Sequence, residues 1–221
     1  MLEFEHEVAV KICGVTNMDD GLSCAAAGAD LVGLNFSPRS VRCIPPATGA
    51  EIIAAVRRRF PQIKFVGVFL DQDRDLVRKI TTDLLLDAVQ LHGDETPDYM
   101  RELKAPFIIK ALRIASDLPA SAAFADRCDA ILLDTWSREA PGGTGRTFPW
   151  SMAAGLRPQV ARLILAGGLT SDNVAEAIRT VRPFAVDVCS SVEAAPGRKD
   201  EAKVRAFVEA VRAAVEEKAA R

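Results

Sequence analysis

Short apolar runs alternate with longer segments of helical periodicity along the whole chain. Eight runs rich in Val, Ile and Leu lack the strict alternation of a half-exposed strand, which is typical of strands buried on both faces of a parallel sheet. The runs are VAVKIC (8–13), DLVGLNF (30–36), KFVGVFL (64–70), DAVQLHG (87–93), FIIKALRI (107–114), DAILLDT (129–135), ARLILAGG (161–168) and FAVDVCS (184–190). The pattern therefore predicts eight parallel strands.

The segments between these runs have the periodicity of helices that cover a sheet. Apolar residues recur every three or four positions in GAEIIAAVRRRF (49–60) and in SDNVAEAIRTV (171–181). A last helix, about 199–218, is expected to close the barrel with one apolar stripe, formed by Val204, Phe207, Val208, Val211 and Val215. Eight strand and helix units predict an α/β fold, a (β/α)8 or TIM barrel, with a doubly wound open sheet as the alternative. Because no linker-like tract divides residues 1–221, we expect a single domain.

Composition narrows the class of ligand. Hydrophobic residues make up 49% of the 221 residues, while a net charge of -2 and a pI near 5.8 argue against nucleic acid or anionic lipid as a partner. Five scattered cysteines without a CxxC pair indicate free thiols in a reducing cytosol. The N-terminus is acidic and no apolar run reaches about 18 residues, which argues against a signal peptide and a membrane span. We expect a cytoplasmic monomer or homodimer that binds a small molecule.

Two ionisable residues stand where predicted strands pass into loops, the end of a barrel that forms its active-site mouth. Cys13 ends the first strand and Asp134 the sixth. Taken singly, Cys13 is equally typical of a small core residue and Asp134 of a capping carboxylate, but together they form a candidate acid and base pair. Lys11 lies two positions before Cys13 on the same strand face, where its ammonium would favour the thiolate.

Glycine and serine at the ends of the seventh and eighth strands indicate a phosphate site. Backbone N–H groups of Gly167 and Gly168 can approach an anion closely, and the helix that begins near Ser171 adds its positive end. The CSS segment (189–191) follows the neighbouring strand, where such barrels commonly bind a phosphoryl group. A third loop, PGGTGRTF (141–148), is either a mobile lid or a surface loop.

For two further side chains, the sequence leaves two alternative roles each. His92 ends the fourth strand, as a general base or as a residue that orders its loop. His6 is the other histidine of the chain, so a histidine metal cluster is not expected. Arg42 follows the second strand, where it is either a partner for a substrate carboxylate or a solvated arginine.

An ordered set of short motifs, spread over nearly the whole chain, resembles the phosphoribosylanthranilate isomerase family of tryptophan biosynthesis. The motifs are KICGVTN, GADLVGLNF with SVRCI, VGVFLD, AVQLHGDE, LLDT, GGTGRTF, LAGGLTSDNV and VDVCSSVEAAPGRKD. Each motif alone is a loose pattern. Their order along one chain makes the resemblance specific.

The resemblance implies an Amadori rearrangement of N-(5-phospho-β-D-ribosyl)anthranilate to 1-(2-carboxyphenylamino)-1-deoxyribulose 5-phosphate. It implies that Cys13 is the general base, that Asp134 is the general acid and that Arg42 holds the anthranilate carboxylate. The phosphosugar would be bound by the loops that contain Gly167, Gly168, Ser190 and Ser191. No metal or organic cofactor is implied, because the iminium formed from the substrate serves as its own electron sink.

Two positions depart from the family pattern. VCSSVE stands where the family commonly has VSSGVE, so Cys189 and Ser191 replace a serine and a glycine. If the second position requires a positive φ, Ser191 strains the loop. Pro149 in FPW replaces an aspartate that would cap the next helix.

Three alternatives compete with this interpretation. Two are other phosphosugar barrels, the aminoimidazole isomerase of histidine biosynthesis and a pentose phosphate epimerase. The third is a phosphate-ligand-binding barrel without catalysis, which the serine at position 191 brings into consideration.

Overall fold

Eight parallel strands form a closed barrel in the computed structural model, which describes residue 2 and residues 4–113, 127–134 and 150–219. The strands are β1 Ala9–Cys13, β2 Leu31–Asn35, β3 Lys64–Phe69, β4 Ala88–Leu91, β5 Ile108–Arg113, β6 Ala130–Asp134, β7 Leu163–Ala166 and β8 Ala185–Val188. Each strand pairs with the next in sequence, and β1 also pairs with β8. The predicted (β/α)8 barrel is confirmed, and the open sheet is excluded because the first and last strands are joined.

Helices follow the strands and cover the outside of the barrel. Those in the described ranges are α1 Met18–Ala26, α2 Pro46–Arg59, α3 Arg74–Asp83, α4 Pro97–Leu103, α5 Trp150–Leu156, α6 Val174–Val181 and α7 Glu201–Ala219. Short 3-10 turns occupy Arg157–Gln159 and Ser190–Val192, and a two-stranded hairpin, β9 Glu193–Ala195 and β10 Arg198–Lys199, follows β8. The predicted loop 141–148 and the predicted effect of Pro149 fall outside the described residues.

Helix starts are set by polar side chains in the preceding loops. Asn17 accepts a hydrogen bond from the Asp20 amide at 2.9 Å. Asp73 accepts from the amides of Asp75 and Leu76, and Thr96 accepts from the Tyr99 amide. Since the first N–H groups of a helix have no partner within it, each of these caps stabilises its helix by about 1 kcal/mol.

The core has two layers, separated by the barrel wall. Inside the wall, small and branched side chains fill the amino-terminal half of the barrel: Ala9, Leu31, Val66, Ala88, Ile109, Ala130, Leu132, Ile164 and Ala185. Outside it, the opposite strand faces pack against the helices in a larger cluster that includes Ile12, Leu34, Phe65 and Phe207. Burial of both strand faces explains why the strands appear as continuous apolar runs.

The strands end earlier than the apolar runs of the sequence predict. The run 161–168 corresponds to the four-residue strand β7, because Gly167 and Gly168 adopt φ values of 80° and 66° and leave the sheet. Glycine populates that region without steric cost. Among the described residues, no helix combines the length and the apolar character that a membrane crossing demands.

Replacement of Phe207 by alanine should destabilise the fold strongly. Phe207 lies in α7 and is fully buried, so the substitution leaves a cavity that costs about 3–5 kcal/mol. Urea unfolding followed by circular dichroism measures this loss. Glu209→Ala on the exposed side of the same helix is the control and should change stability by no more than about 0.5 kcal/mol. Equal stabilities of the two variants would contradict the proposed packing of α7.

Candidate active site

Period-two alternation brings chemically active residues to the carboxyl end of the barrel interior. Ala9 and Ala185 point into the lower core, so the residues two and four positions later, on the same faces, continue toward the mouth. In β1 these residues are Lys11 and Cys13. Along β8 they are Asp187 and Cys189, and the same rule brings His92 after β4 and Asp134 at the end of β6 to this mouth.

A buried ion pair joins β1 to β8 below the mouth. Lys11 Nζ donates to Asp187 Oδ1 at 2.9 Å, and the Lys11 side chain is fully buried. Burial raises the pKa of Asp187 to about 7, with the negative charges of Cys13 and Asp134 acting in the same direction against the opposing charge of Lys11. Burial would lower the pKa of Lys11, but attraction to Asp187 and Cys13 outweighs it and raises that pKa. The Lys11 ammonium therefore stabilises negative charge on both Asp187 and Cys13.

The Cys13 thiol is the group whose chemistry this arrangement changes most. A hydrogen bond from the Cys189 thiol lowers the pKa of Cys13, and the charges of Lys11 and Lys199 lower it further, against the opposing effect of burial. The pKa of Cys189 is raised, because its proton is held by Cys13 and its own site is buried. The thiolate is therefore favoured on Cys13, where β1 meets its loop, and Cys189 keeps its proton.

Asp134 lies against His92 on the opposite side of the mouth. His92 Nε2 is 3.4 Å from Asp134 Oδ2, and both side chains are about one-fifth exposed. The amide Nε2 of Gln90 donates to His92 Nδ1 at 3.1 Å. With Nδ1 as acceptor, the ring hydrogen resides on Nε2 and faces the carboxylate. The structure thus places His92 between Gln90 and Asp134 at the mouth.

A second buried ion pair fixes the loop that carries His92. Lys110 of β5 donates to Glu95 Oε2 at 2.7 Å and also to the carbonyl of Gly93. Both charged side chains are only 2% exposed. Since breaking a buried pair leaves an uncompensated charge, this loop is held in one position. Neither residue was singled out from the sequence, although a lysine inside the apolar run FIIKALRI was a usable signal.

Arg42 is placed at the mouth, bound to a carboxylate of the chain itself. Its Nε and Nη2 donate to the two Glu193 oxygens at 2.7 and 2.6 Å. Lys199 Nζ also donates to Glu193 at 3.1 Å. Burial would raise the pKa of Glu193, but the hydrogen bond from Arg42 and the charge of Lys199 outweigh it and lower that pKa. One carboxylate between two cations leaves one positive charge in excess.

The two predicted phosphate loops meet beside the strand ends. Ala166 of β7 is paired in register with Asp134, so Gly167 and Gly168 follow directly beside the end of β6. Asn173 shapes this loop by accepting from the Thr170 amide at 2.8 Å and donating to the Gly168 carbonyl at 2.9 Å. Consecutive residues of positive φ can turn their amides toward one concavity suited to an anion.

The second loop is tied to the first through Ser191. Its hydroxyl donates to the carbonyl of Leu169 at 2.5 Å. Ser190 and Ser191 lie in a 3-10 turn, and the described non-glycine residues with positive φ are Asp71, Leu85, Lys104 and Arg182. The strain considered for Ser191 is therefore absent at this position. The helix expected near Ser171 begins at Val174, after a turn.

Fold and site together define a class of protein, a (β/α)8 barrel enzyme with a thiol and a carboxyl group at its mouth, next to glycine- and serine-containing loops after β7 and β8. Residues 10–210 match the family of N-(5'-phosphoribosyl)anthranilate (PRA) isomerase. The N-(5'-phosphoribosyl)anthranilate isomerase of Trichlorobacter lovleyi is 46% identical over 202 residues, which cover 91% of this chain and 96% of that protein.

Solved structures agree with the sequence comparison. Phosphoribosyl anthranilate isomerase from Thermotoga maritima is 38% identical with a TM-score of 0.86, over 93% of this chain and 99% of that one. Another isomerase structure, a complex with reduced 1-(o-carboxyphenylamino)-1-deoxyribulose 5-phosphate, is 36% identical with a TM-score of 0.82 and the same coverage. The chain belongs to the N-(5'-phosphoribosyl)anthranilate isomerase family.

Removal of the Lys11 charge should raise the pKa of Cys13. In Lys11→Met the thiolate loses one of its neighbouring cations, so alkylation of Cys13 should require a higher pH than in the unchanged protein. Iodoacetamide labelling across a pH series, quantified on the Cys13 peptide by mass spectrometry, measures the midpoint.

Lys64→Met, at the amino end of β3, is the matched control and should leave the midpoint in place. Circular dichroism establishes that each variant is folded. An unchanged midpoint in folded Lys11→Met would contradict the assigned role of the lysine.

Proposed function

We propose that this chain converts N-(5'-phosphoribosyl)anthranilate to 1-(2-carboxyphenylamino)-1-deoxyribulose 5-phosphate with Asp134 as general acid and Cys13 as general base. One observation carries the assignment. A thiol with a lowered pKa at the end of β1 and a carboxyl group at the end of β6 share the mouth of one barrel. Membership of the isomerase family fixes the reaction to which this pair is assigned.

The chemistry needs one proton delivered and another removed. Protonated Asp134 gives its proton to the ribose ring oxygen, the ring opens, and the anthranilate nitrogen becomes an iminium. The Cys13 thiolate then takes the proton from C2, and the electron pair moves toward the iminium to give the enolamine, which tautomerises to the ketone. A thiolate suffices as the base because the adjacent iminium acidifies the C2 proton.

His92 positions the proposed acid, Asp134. The Nε2 hydrogen of the ring faces Asp134 Oδ2 at a nitrogen-to-oxygen distance of 3.4 Å, so the ring limits the movement of the carboxyl group. Gln90 holds the ring in turn, and the buried Lys110 and Glu95 pair fixes the loop. Pre-positioned groups of this kind reduce the reorganisation required during reaction.

The charges of the mouth suit a substrate with two anionic ends. Arg42 is assigned to the anthranilate carboxylate, and its pairing with Glu193 uses only two of the five N–H donors of a guanidinium. The excess positive charge shared by Arg42, Lys199 and Glu193 attracts the same group. Gly167, Gly168, Ser190 and Ser191 are assigned to the phosphate, on the loops after β7 and β8.

Loss of either catalytic group should abolish most turnover. Cys13→Ser and Asp134→Asn are each expected to lower kcat by about 10²–10⁴-fold, the usual contribution of a general acid or base. The loss of fluorescence of freshly made phosphoribosylanthranilate follows the reaction.

Cys128→Ser provides the matched thiol control, since Cys128 precedes β6 at the opposite end of the barrel. Rates within a factor of about two of the unchanged protein in Cys13→Ser or Asp134→Asn would refute the assignment of that residue.

A side chain at Gly168 should weaken phosphate binding. Its φ of 66° is costly for other residues by about 1–2 kcal/mol, so Gly168→Ala is expected to shift the loop and raise KM roughly tenfold. Inorganic phosphate, tested as a competitive inhibitor, should weaken in parallel.

Gly155→Ala in α5 is the control, because an added Cβ there meets no atom within 4 Å. An unchanged KM and an unchanged phosphate inhibition constant in Gly168→Ala would remove this loop from the site.

A further inference from the structure

Two cysteines occupy equivalent positions on the strands that close the barrel. Lys11 pairs in register with Asp187, and Ile12 with Val188, so Cys13 and Cys189 are the next residues of the two parallel chains. Neighbouring strands lie about 4.8 Å apart, which falls within the Cα separations of about 4.4–6.8 Å that disulfides span. The register therefore places Cys13 and Cys189 next to each other at the ends of two paired strands.

Their side chains also point the same way. Lys11 and Asp187 touch inside the barrel at 2.9 Å, and the alternation of a strand turns the residues two positions later to that same side. Each of the two thiols is the strongest single influence on the pKa of the other, as expected of neighbouring groups. Both cysteines are partly exposed at the mouth, so a small oxidant reaches them.

The two thiols are electrostatically unequal, as attack and resolution require. The Cys189 thiol and the charges of Lys11 and Lys199 lower the pKa of Cys13. The pKa of Cys189 is raised by the interaction with Cys13 and by burial, which outweigh the charge of Lys199, whose Nζ lies 3.8 Å from Cys189 Sγ. Burial raises the pKa of Cys24 to about 12 and that of Cys128 to about 11, which keeps those thiols unreactive. Cys13 is thus set to react first, with a protonated thiol beside it.

We propose that Cys13 and Cys189 form a reversible disulfide when the protein meets a hydroperoxide. The Cys13 thiolate attacks one oxygen of hydrogen peroxide and becomes a sulfenic acid, with release of hydroxide. The Cys189 sulfur then attacks the sulfenic sulfur and forms the S–S bond, while its proton and the sulfenic hydroxyl leave as water. Two thiols are oxidised and one peroxide is reduced to two waters.

The disulfide inactivates the enzyme and also protects Cys13 from further oxidation. This proposal rests on the proposed function, because the disulfide occupies the Cys13 sulfur, which is the proposed general base. A bonded Cys13 cannot accept the C2 proton, and it also cannot proceed to the irreversible sulfinic acid.

The test follows the bond separately from the activity. The full chain is reduced, desalted, treated with hydrogen peroxide, alkylated and digested, and the peptides are identified by mass spectrometry. We expect a Cys13 to Cys189 crosslinked peptide, the loss of two thiols, an activity at least about 100-fold lower, and full recovery after dithiothreitol.

Two variants distinguish the Cys13–Cys189 disulfide from unspecific oxidation of the cysteines. In Cys189→Ser, the same treatment should leave a Cys13 sulfenic acid that dimedone traps, followed by sulfinic acid and activity that dithiothreitol does not restore. Cys43→Ser lacks an exposed thiol outside the pair and should form the crosslink as the unchanged chain does. Each activity is compared with that of the same variant before oxidation.

Three results would overturn one proposal or the other. Absence of the crosslinked peptide in an active enzyme would refute the disulfide and leave the proposed function standing. Equal dimedone trapping of Cys13 in the unchanged chain and in Cys189→Ser would also refute it. A crosslink formed in full with undiminished turnover would instead refute Cys13 as the general base.

Discussion

The buried contact between Lys11 and Asp187 is the interaction on which the rest of the site depends. It crosses the seam between β1 and β8, where the barrel closes, and it is sealed from water. Charges in such a place are stable only as a mutually bonded set, because each alone would face the full cost of desolvation. The same ammonium therefore bridges the seam of the barrel and helps to lower the pKa of Cys13.

The same principle organises the mouth above this pair. Charged residues there occur in bonded groups, Arg42 and Lys199 around Glu193 on one side and Lys110 with Glu95 on the other. The first group has one positive charge in excess, and the second holds the loop of His92. Rigid ion pairs thus supply both the electrostatic field and the geometry that a proton-transfer site requires.

Sequence reasoning reached the strands, their order and the catalytic candidates because those depend on local periodicity. Cys13 and Asp134 were identified from their places at strand ends, and Gly167 and Gly168 from the chemistry of a backbone turn. Asp187 and Lys110 were missed, although each is a charged residue inside an apolar run. The run itself does not show which distant residue pairs with the charge and allows it to be buried. The roles of Ser190 and Arg42 rested on the family resemblance.

By itself, the sequence determined which residues lie in the barrel wall, that Lys11 and Cys13 share one strand face, and which end of each strand carries the polar groups, because strand periodicity is a local property of the chain. Only the tertiary structure decided the partners. Lys11 and Asp187 are 176 positions apart, and Arg42 and Glu193 are 151 apart. Such pairs arise when the barrel closes and brings its first and last strands together. The same closure places the Cys189 thiol and the ammonium groups of Lys11 and Lys199 around Cys13, and these groups lower its pKa.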